Sequence, residues 1–248
     1  MGKLKNFKVL NSFQLKFLAM FFMFLDHSYY TIFSSAEWLN VVGRLAFPIF
    51  AFQLTEGFYH SSDRKKYCKR LLFFAVISEI PFDLMCCGTY FYPFHQNVMW
   101  TLLLGLLLMM ALEKAKDGWK NTLIAVASFC VIYLASIIFM VDYHDLGILT
   151  ILLFYFSHNL PEKYRWIFQL VGLIYLNEFY YKGYYYDFSL FGFDLQMNLQ
   201  TFCVFSLLFI WLYNGKKGNV SKNLQIFSYA FYPMHLILLY GLYIMFIQ

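Results

Sequence analysis

The segment that decides the fold is residues 17–33, which read FLAMFFMFLDHSYYTIF. Nine apolar residues run from Phe17 to Leu25, the adjacent pair Asp26–His27 follows, and apolar and aromatic residues then resume. With its flanks, the segment reaches the length of about 20 residues that a helix needs to cross a bilayer. A carboxylate at that depth costs roughly 2.5–3.5 kcal/mol on insertion scales, so the pattern favours a functional site at Asp26–His27. The alternative is a helix end near the lipid headgroups, where polar groups cost little.

The composition is that of a membrane protein. Of the 248 residues, 61% are hydrophobic and 13% are charged, whereas a soluble domain has about 45–50% apolar and about 25% charged residues. We therefore predict an all-α polytopic membrane helix bundle that forms a single domain over residues 1–248. The net charge of +5 is dispersed over short loops, which does not indicate nucleic-acid binding. The five cysteines include no CxxC pair, and we predict no metal site.

Cutting the apolar runs at charged and turn-rich segments predicts about nine transmembrane helices. The predicted spans are residues 13–33, 39–58, 67–85, 97–113, 121–140, 144–157, 164–180, 195–213 and 224–246. The loops between them alternate in basic content: 17 of the 19 Lys and Arg residues fall on one side, Lys182 falls on the other, and Arg44 lies within a span. Positively charged loops stay in the cytoplasm, so we predict a cytoplasmic amino terminus and an external carboxyl terminus.

This orientation brings polar side chains from several spans to one depth, in the outer half of the bundle. The set consists of Asp26, His27, Arg44, Glu79, Asp83, Gln96, Asn97, Asp142, His144, Asp145 and His235. Polar groups inside a membrane protein face the bundle interior or water and pair with one another, so the set indicates a cavity. Histidine is the usual general base near neutral pH, a carboxylate can orient it, and arginine can stabilise an oxyanion or pair with an acid. No P-loop, GxSxG or HExxH motif occurs.

Five segments in this order resemble the TraX family. They are LAMFFMFLDH at residues 18–27, GRLAFPIFAFQLTEGF at 43–58, RKKYCKRLLFFAVISEIPFDL at 64–84, QNVMWTLLLGLL at 96–107 and FYPMHLILL at 231–239. Members of this family resemble the F-pilus protein that acetylates the amino terminus of pilin. The resemblance covers essentially the whole chain. It implies an integral-membrane acetyltransferase of the bacterial cytoplasmic membrane, which takes an acetyl group from cytoplasmic acetyl-CoA and delivers it to an acceptor at the outer side.

The resemblance also implies a set of site residues and leaves the acceptor open between a peptide and a small molecule carrying an amine or hydroxyl. The implied catalytic residues are Asp26, His27, Arg44, Glu79, Asp83 and His235, and the implied substrate or CoA contacts are Arg64, Lys65, Lys66, Arg70, Gln96 and Asn97. We expect His27 to be the general base, oriented by Asp26 or by a carboxylate of the third span. We expect Arg44 to pair with a carboxylate, Glu79 being the best candidate, because an unpaired buried charge is too costly. His235 is expected to shape the pocket or to contact the pantetheine arm.

Two alternatives accompany these expectations. The basic cluster of residues 64–70 can also be interpreted as the ordinary excess of positive charge in cytoplasmic loops, without any phosphate contact. The same intramembrane acids could also serve a proton-coupled small-molecule transporter. Against transport stand the odd number of spans and the lack of an inverted repeat. Turnover of acetyl-CoA by the purified protein distinguishes the enzyme from the transporter.

Overall fold

The chain folds mainly into helices, as seen in a computed structural model that describes residues 8–115, 118–190, 192–219 and 221–246. The first seven helices are α1 Ser12–Thr31, α2 Glu37–Gly43, α3 Ala46–His60, α4 Arg64–Cys87, α5 Val98–Lys114, α6 Trp119–Ile138 and α7 His144–Ser157. They are followed by α8 Glu162–Ile174, a π-helical turn Tyr175–Tyr180, strands β1 Tyr185–Leu190 and β2 Phe193–Asn198, a 3₁₀ segment Leu199–Phe205, α9 Ser206–Trp211 and α10 Lys222–Phe246.

Helix α1 carries the Asp26–His27 pair and has a defined start. The Asn11 side chain accepts from the backbone N–H of Gln14, and the Gln14 side chain accepts from the backbone N–H of Asn11. This reciprocal pair satisfies two donors that a helix start otherwise leaves without partners. α1 packs against α2, α3 and α10, so its polar residues lie where three other helices can supply partners.

The predicted second span is broken into α2 and α3 at Arg44 and Leu45. Pro48 explains the position of the break, because a proline ring clashes with the carbonyl of the residue four positions earlier, which here is Arg44. Pro48 itself occupies the first turn of α3, where the missing N–H has no cost. The chain turns at Arg44, between two helices that both pack against α1. The turn therefore places Arg44 beside α1.

The core of the bundle lies around α7, which is buried along most of its length. α7 contacts α3, α5, α6 and α8, while α10 packs against α1 and α4. The outward faces of the long helices are apolar instead: α6 exposes Leu123, Val131 and Ile138, and α10 exposes Ile237 and Met245. Large exposed apolar faces on helices are typical of surfaces that meet another apolar medium or a partner.

Two predictions about the fold are wrong in detail. The predicted spans of residues 39–58 and 195–213 are not continuous helices, and the class is not purely helical, because β1 and β2 form an antiparallel hairpin. Alternating aromatic residues in YYDFSL suit a strand, and Gly192 supplies the positive φ of 83° at the turn. Among the described residues, α6 and residues 223–246 of α10 are long and apolar enough to cross a membrane. The count of nine spans and their orientation stay predictions.

Candidate active site

A cavity of about 490 Å³ opens beside the middle of α1, and we call it the histidine cavity. Its walls come from α1, the break between α2 and α3, α4, the loop before α5, the loop before α7 and the segment after the hairpin. The polar residues that line it are Asp26, His27, Tyr30, Arg44, His95, Asp142, Tyr143, His144, Asp145, Tyr181 and Gln200. The sequence therefore correctly predicted that polar residues of separate helices meet in one cavity.

His27 is held by a second histidine. Its Nδ1 lies 2.7 Å from Nε2 of His235, and Nδ1 of His235 lies 2.8 Å from the carbonyl oxygen of Phe231. A carbonyl oxygen can only accept, so His235 carries its proton on Nδ1, and in the neutral ring its Nε2 must accept. His27 therefore donates from Nδ1, and its Nε2 keeps an unprotonated lone pair. Because His27 lines the cavity while His235 is 2% exposed behind it, the unprotonated ring nitrogen beside the cavity belongs to His27.

This arrangement corrects one prediction. We expected a carboxylate, from Asp26 or from the third span, to orient His27, but the group in contact with it is the ring of His235. Adjacent residues on a helix point about 100° apart, and Asp26 accordingly turns away from its neighbour, towards Arg44. His235 lies behind His27 and is not among the residues that line the cavity, so its expected part in shaping the pocket or contacting the pantetheine arm stays a prediction.

Asp26 and Arg44 form a buried ion pair, in which each side chain is 13% exposed. Arg44 has a carboxylate partner as predicted, but the choice of Glu79 was wrong, because Arg44 donates to Asp26 Oδ1. A second guanidinium nitrogen donates to Gln200 Oε1 at 3.2 Å. The pair exists because α1 and α2 approach closely at Gly43, where an added Cβ would lie 2.5 Å from Asp26 Oδ1. Only glycine fits that contact without moving a helix.

The acids of α4 and the QN motif hold the loop before α5 and do not line the cavity. Glu79 accepts from Trp100 Nε1 at 2.9 Å and from Asn97 Nδ2. Asn97 also caps α5 by accepting from the backbone of Met99. Asp83 is 1% exposed and accepts from the backbone N–H of Tyr92 at 2.8 Å. Through these bonds the two acids and Asn97 stabilise the wall, while Glu79 Oε1 and Asp83 Oδ1 are buried without a hydrogen-bond donor among the described residues.

The backbone of Gln96 extends the same wall. Its N–H donates to Met140 O at 3.0 Å, and its C=O accepts from the N–H of Asp142 at 2.8 Å. These two bonds tie the loop before α5 to the loop before α7. The predicted substrate contact at Gln96 thus falls on a residue that joins two loops.

His95 is a cavity residue that the sequence reasoning missed. Its Nε2 lies 3.9 Å from Asp142 Oδ1, and the Asp142 carboxylate raises the pKa of His95 above its ordinary value. Its position directly before the QN motif was a signal that could have identified it. Gln200 follows the hairpin, and no pattern in the sequence marked it. Among the described residues, no group of three or more His, Cys, Asp or Glu side chains could hold a metal ion.

Comparison with known proteins assigns the chain to a family. The family described as "TraX protein" matches residues 12–243. The chain belongs to the TraX family. It is also 33% identical over 244 residues, covering 92% of this chain and 94% of the relative, to a Dichelobacter nodosus protein described as "Probable fimbrial assembly protein FimC, serogroup H1". No solved structure matches the chain.

This TraX-family chain contains a second cavity, of about 420 Å³, towards the amino-terminal end of α1, and we call it the basic cavity. Lys16, Arg70 and Lys217 contribute its cations. Three residues, Met23, Phe50 and Val98, line both cavities. The two cavities are therefore back to back, separated by three apolar side chains.

The predicted CoA-binding cluster of the TraX-family chain separates into residues with different surroundings. Arg64 forms an ion pair with Glu113 and lies 4.0 Å from the centre of the Phe58 ring. Lys65 and Lys66 are exposed at the start of α4. Of the four cations, Arg70 alone lines the basic cavity.

Proposed function

We propose that the protein is an integral-membrane acetyltransferase that moves an acetyl group from acetyl-CoA to an amine or hydroxyl acceptor, with His27 as general base. The observation that carries the proposal is the chain of contacts from Phe231 through His235 to His27. It leaves one unprotonated imidazole nitrogen at the wall of a cavity that has an ion pair beside it. Membership of the TraX family supports the same activity.

In the proposed reaction, His27 Nε2 removes a proton from the acceptor as the acceptor attacks the carbonyl carbon of the thioester. The bond from this carbon to the acceptor nitrogen or oxygen forms, and the bond to sulfur then breaks. His27 returns the proton to the departing CoA thiolate, so proton and charge balance. During the step, the cationic His27 keeps donating from Nδ1 to His235, whose own proton stays directed at Phe231 O. Such a general base contributes about 10²–10⁴ in rate.

Arg44 and Asp26 supply the electrostatic part of the proposed mechanism. A guanidinium at the cavity wall can stabilise the negative oxygen of the tetrahedral intermediate. Without a counter-charge, a buried arginine would oppose a positive charge on His27 and would be costly to bury. Asp26 balances it, so the wall can hold both the arginine and a transient imidazolium.

The proposed acceptor is the amino terminus of a polypeptide. The description of the Dichelobacter nodosus relative as a fimbrial assembly protein favours a fimbrial subunit over a small molecule. We place the protein in the bacterial cytoplasmic membrane with about nine spans and a cytoplasmic amino terminus. The 17 basic residues on one side of the predicted spans support this orientation. The basic cavity would then open towards cytoplasmic acetyl-CoA.

Release of free CoA thiol from acetyl-CoA by the purified protein in detergent tests the proposal. The acceptors are a peptide with a free amino terminus and, as a matched control, the same peptide already acetylated. We expect thiol release with the first peptide, none above background with the second, and a gain of one acetyl group in the mass of the first.

If no acetyl transfer occurs with any amine or hydroxyl acceptor, the acetyltransferase is rejected. Two cavities that meet at a thin partition also suit a transporter. Proton-coupled uptake by proteoliposomes, in the absence of acetyl transfer, would then establish the transport alternative.

A further inference from the structure

We propose that the basic cavity is a phosphate site in which Lys16 and Arg70 clamp the phosphate end of the acyl donor. The donor's arm would pass between Met23, Phe50 and Val98 to His27. The identity of the donor rests on the proposed acetyltransferase function. The assignment of the phosphate site rests on the arrangement of charges in this cavity.

The two cations share one aromatic ring. Lys16 Nζ lies 4.2 Å from the centre of the Tyr229 ring, and the Arg70 guanidinium carbon lies 5.1 Å from the same centre. Arg70 also lies 5.0 Å from the centre of the Tyr67 ring, and Lys16 donates to Ser228 Oγ at 3.0 Å. Both charges are therefore held in place, so little side-chain entropy is lost when an anion binds.

Among the described residues, neither cation has a protein counter-charge. Within the described part of the chain, no carboxylate pairs with Lys16 or Arg70, and Arg70 Nε is buried without a hydrogen-bond acceptor. Glu56 lines the same cavity, but its carboxylate is paired with His158 Nδ1 at 3.1 Å. Two neighbouring positive charges in a partly buried cavity repel each other and need an anion. Phosphate suits them, since it accepts charge-assisted hydrogen bonds from both kinds of side chain.

The distance between the site and His27 fits the arm of coenzyme A. Lys16 and His27 are eleven residues apart on α1, which at 1.5 Å per residue is about 16 Å. The arm from the diphosphate to the thioester sulfur has about thirteen bonds, and an extended chain advances about 3.3–3.6 Å for every three bonds, so it reaches about 15 Å. A phosphate held by Lys16 and Arg70 therefore allows the thioester to reach the His27 end of α1.

The partition between the cavities contains side chains that can yield. Met23 is unbranched with three rotatable bonds, which makes it the most adaptable of the three apolar residues. An apolar passage between these side chains would fit the uncharged arm and exclude the phosphates, which remain in the basic cavity. The phosphate-binding cations and His27 accordingly lie on opposite sides of the partition.

Calorimetric titration of the purified full-length chain in detergent with CoA and with pantetheine tests the site without requiring turnover. Lys16→Gln and Arg70→Gln should each raise the Kd for CoA by about 10- to 100-fold, which is the value of one charge-assisted hydrogen bond. Neither should change the Kd for pantetheine, which has no phosphate. Lys69→Gln is the matched control, because it removes an exposed charge next to Arg70 on the same helix, and it should leave both constants unchanged.

The possible outcomes distinguish a failure of the proposed phosphate site from a failure of the proposed acetyltransferase function. An unchanged Kd for CoA in Lys16→Gln and Arg70→Gln, or no binding of CoA to the folded wild-type protein, overturns the phosphate site. If acetyl transfer nevertheless occurs, the proposed function stands without it. If CoA binding depends on both residues but no acceptor is acetylated, the site stands and the proposed function falls. Arg70→Lys keeps the charge and should retain most of the affinity, so a general folding defect in Arg70→Gln would be recognised.

Discussion

Replacing Gly43 with alanine is a sharp test of the geometry at the ion pair. The added Cβ would lie 2.5 Å from Asp26 Oδ1, whereas ordinary van der Waals contact begins at 3.4 Å. α1 and α2 must therefore separate locally by about 0.9 Å, because protein interiors have few voids to absorb the added atom. We expect a cost of about 1–3 kcal/mol in stability, the usual range for overpacking. For a chain of this size that corresponds to a fall in Tm of roughly 2–12 °C.

The same displacement should lower acetyl transfer. Misplacing a catalytic group by about 1 Å can cost on the order of 10²-fold in rate, and the shift acts directly on the pair of Asp26 and Arg44. The assay measures kcat for thiol release from acetyl-CoA, together with thermal unfolding in detergent. We expect a fall in kcat that exceeds any change in the KM for acetyl-CoA.

Gly241→Ala is the matched control, because Gly241 lies in α10 and an added Cβ there meets nothing within 4 Å. It should keep full activity and gain up to about 1 kcal/mol from helix propensity. If Gly43→Ala behaves like Gly241→Ala in both assays, the close approach of α1 and α2 does not constrain the site, and our account of Gly43 is refuted.

Three further predictions follow from the loops and the topology. Because the pKa of His95 is raised in the folded protein, its pairing with Asp142 stabilises the fold fully below about pH 6.5. This stabilisation is lost as the pH rises through the raised pKa. The Tm difference between wild type and His95→Gln should shrink over that window, and a constant difference would contradict the pairing. Glu79→Leu removes the acceptor of the bond from Trp100 Nε1 and should cost about 1–3 kcal/mol in stability without changing the KM for acetyl-CoA; a raised KM would instead place Glu79 at the substrate. A reporter active only in the cytoplasm, fused after Gln248, should give no signal, and a strong signal would rule out nine spans.

The helices were largely predictable because long apolar runs determine them. The predicted span of residues 144–157 coincides with α7, whose residues are apolar on nearly every side. The breaks were harder to predict. Pro48 interrupts the second predicted span, but a proline can also sit in a helix, as Pro81 does in α4. The hairpin was missed because residues 185–194 lie between two predicted spans, and residues 195–198 were assigned to the span that follows.

The depth of the polar residues in the predicted spans indicated that they lie near one another, but it could not predict which side chains pair. Arg44 was assigned to Glu79, although Asp26 is its partner, because the rotation of each helix about its axis is set by packing. The contact between His27 and His235 joins residues 208 positions apart, and no local pattern specifies it. The sequence likewise shows a run of cations in residues 64–70 but not which of them face a cavity, and of the four predicted CoA contacts Arg70 alone lines the basic cavity.

A double-mutant cycle on His27 and His235 tests the central claim most directly. Single-turnover acetyl transfer is measured for His27→Ala, His235→Ala and the double variant. If His235 acts only by positioning His27, then His27→Ala loses about 10²–10⁴ in rate, and His235→Ala loses less. The double variant should lose no more than His27→Ala, because the two side chains act as one unit. Near-complete loss in His235→Ala with most activity kept in His27→Ala, or losses that multiply in the double variant, would contradict the account.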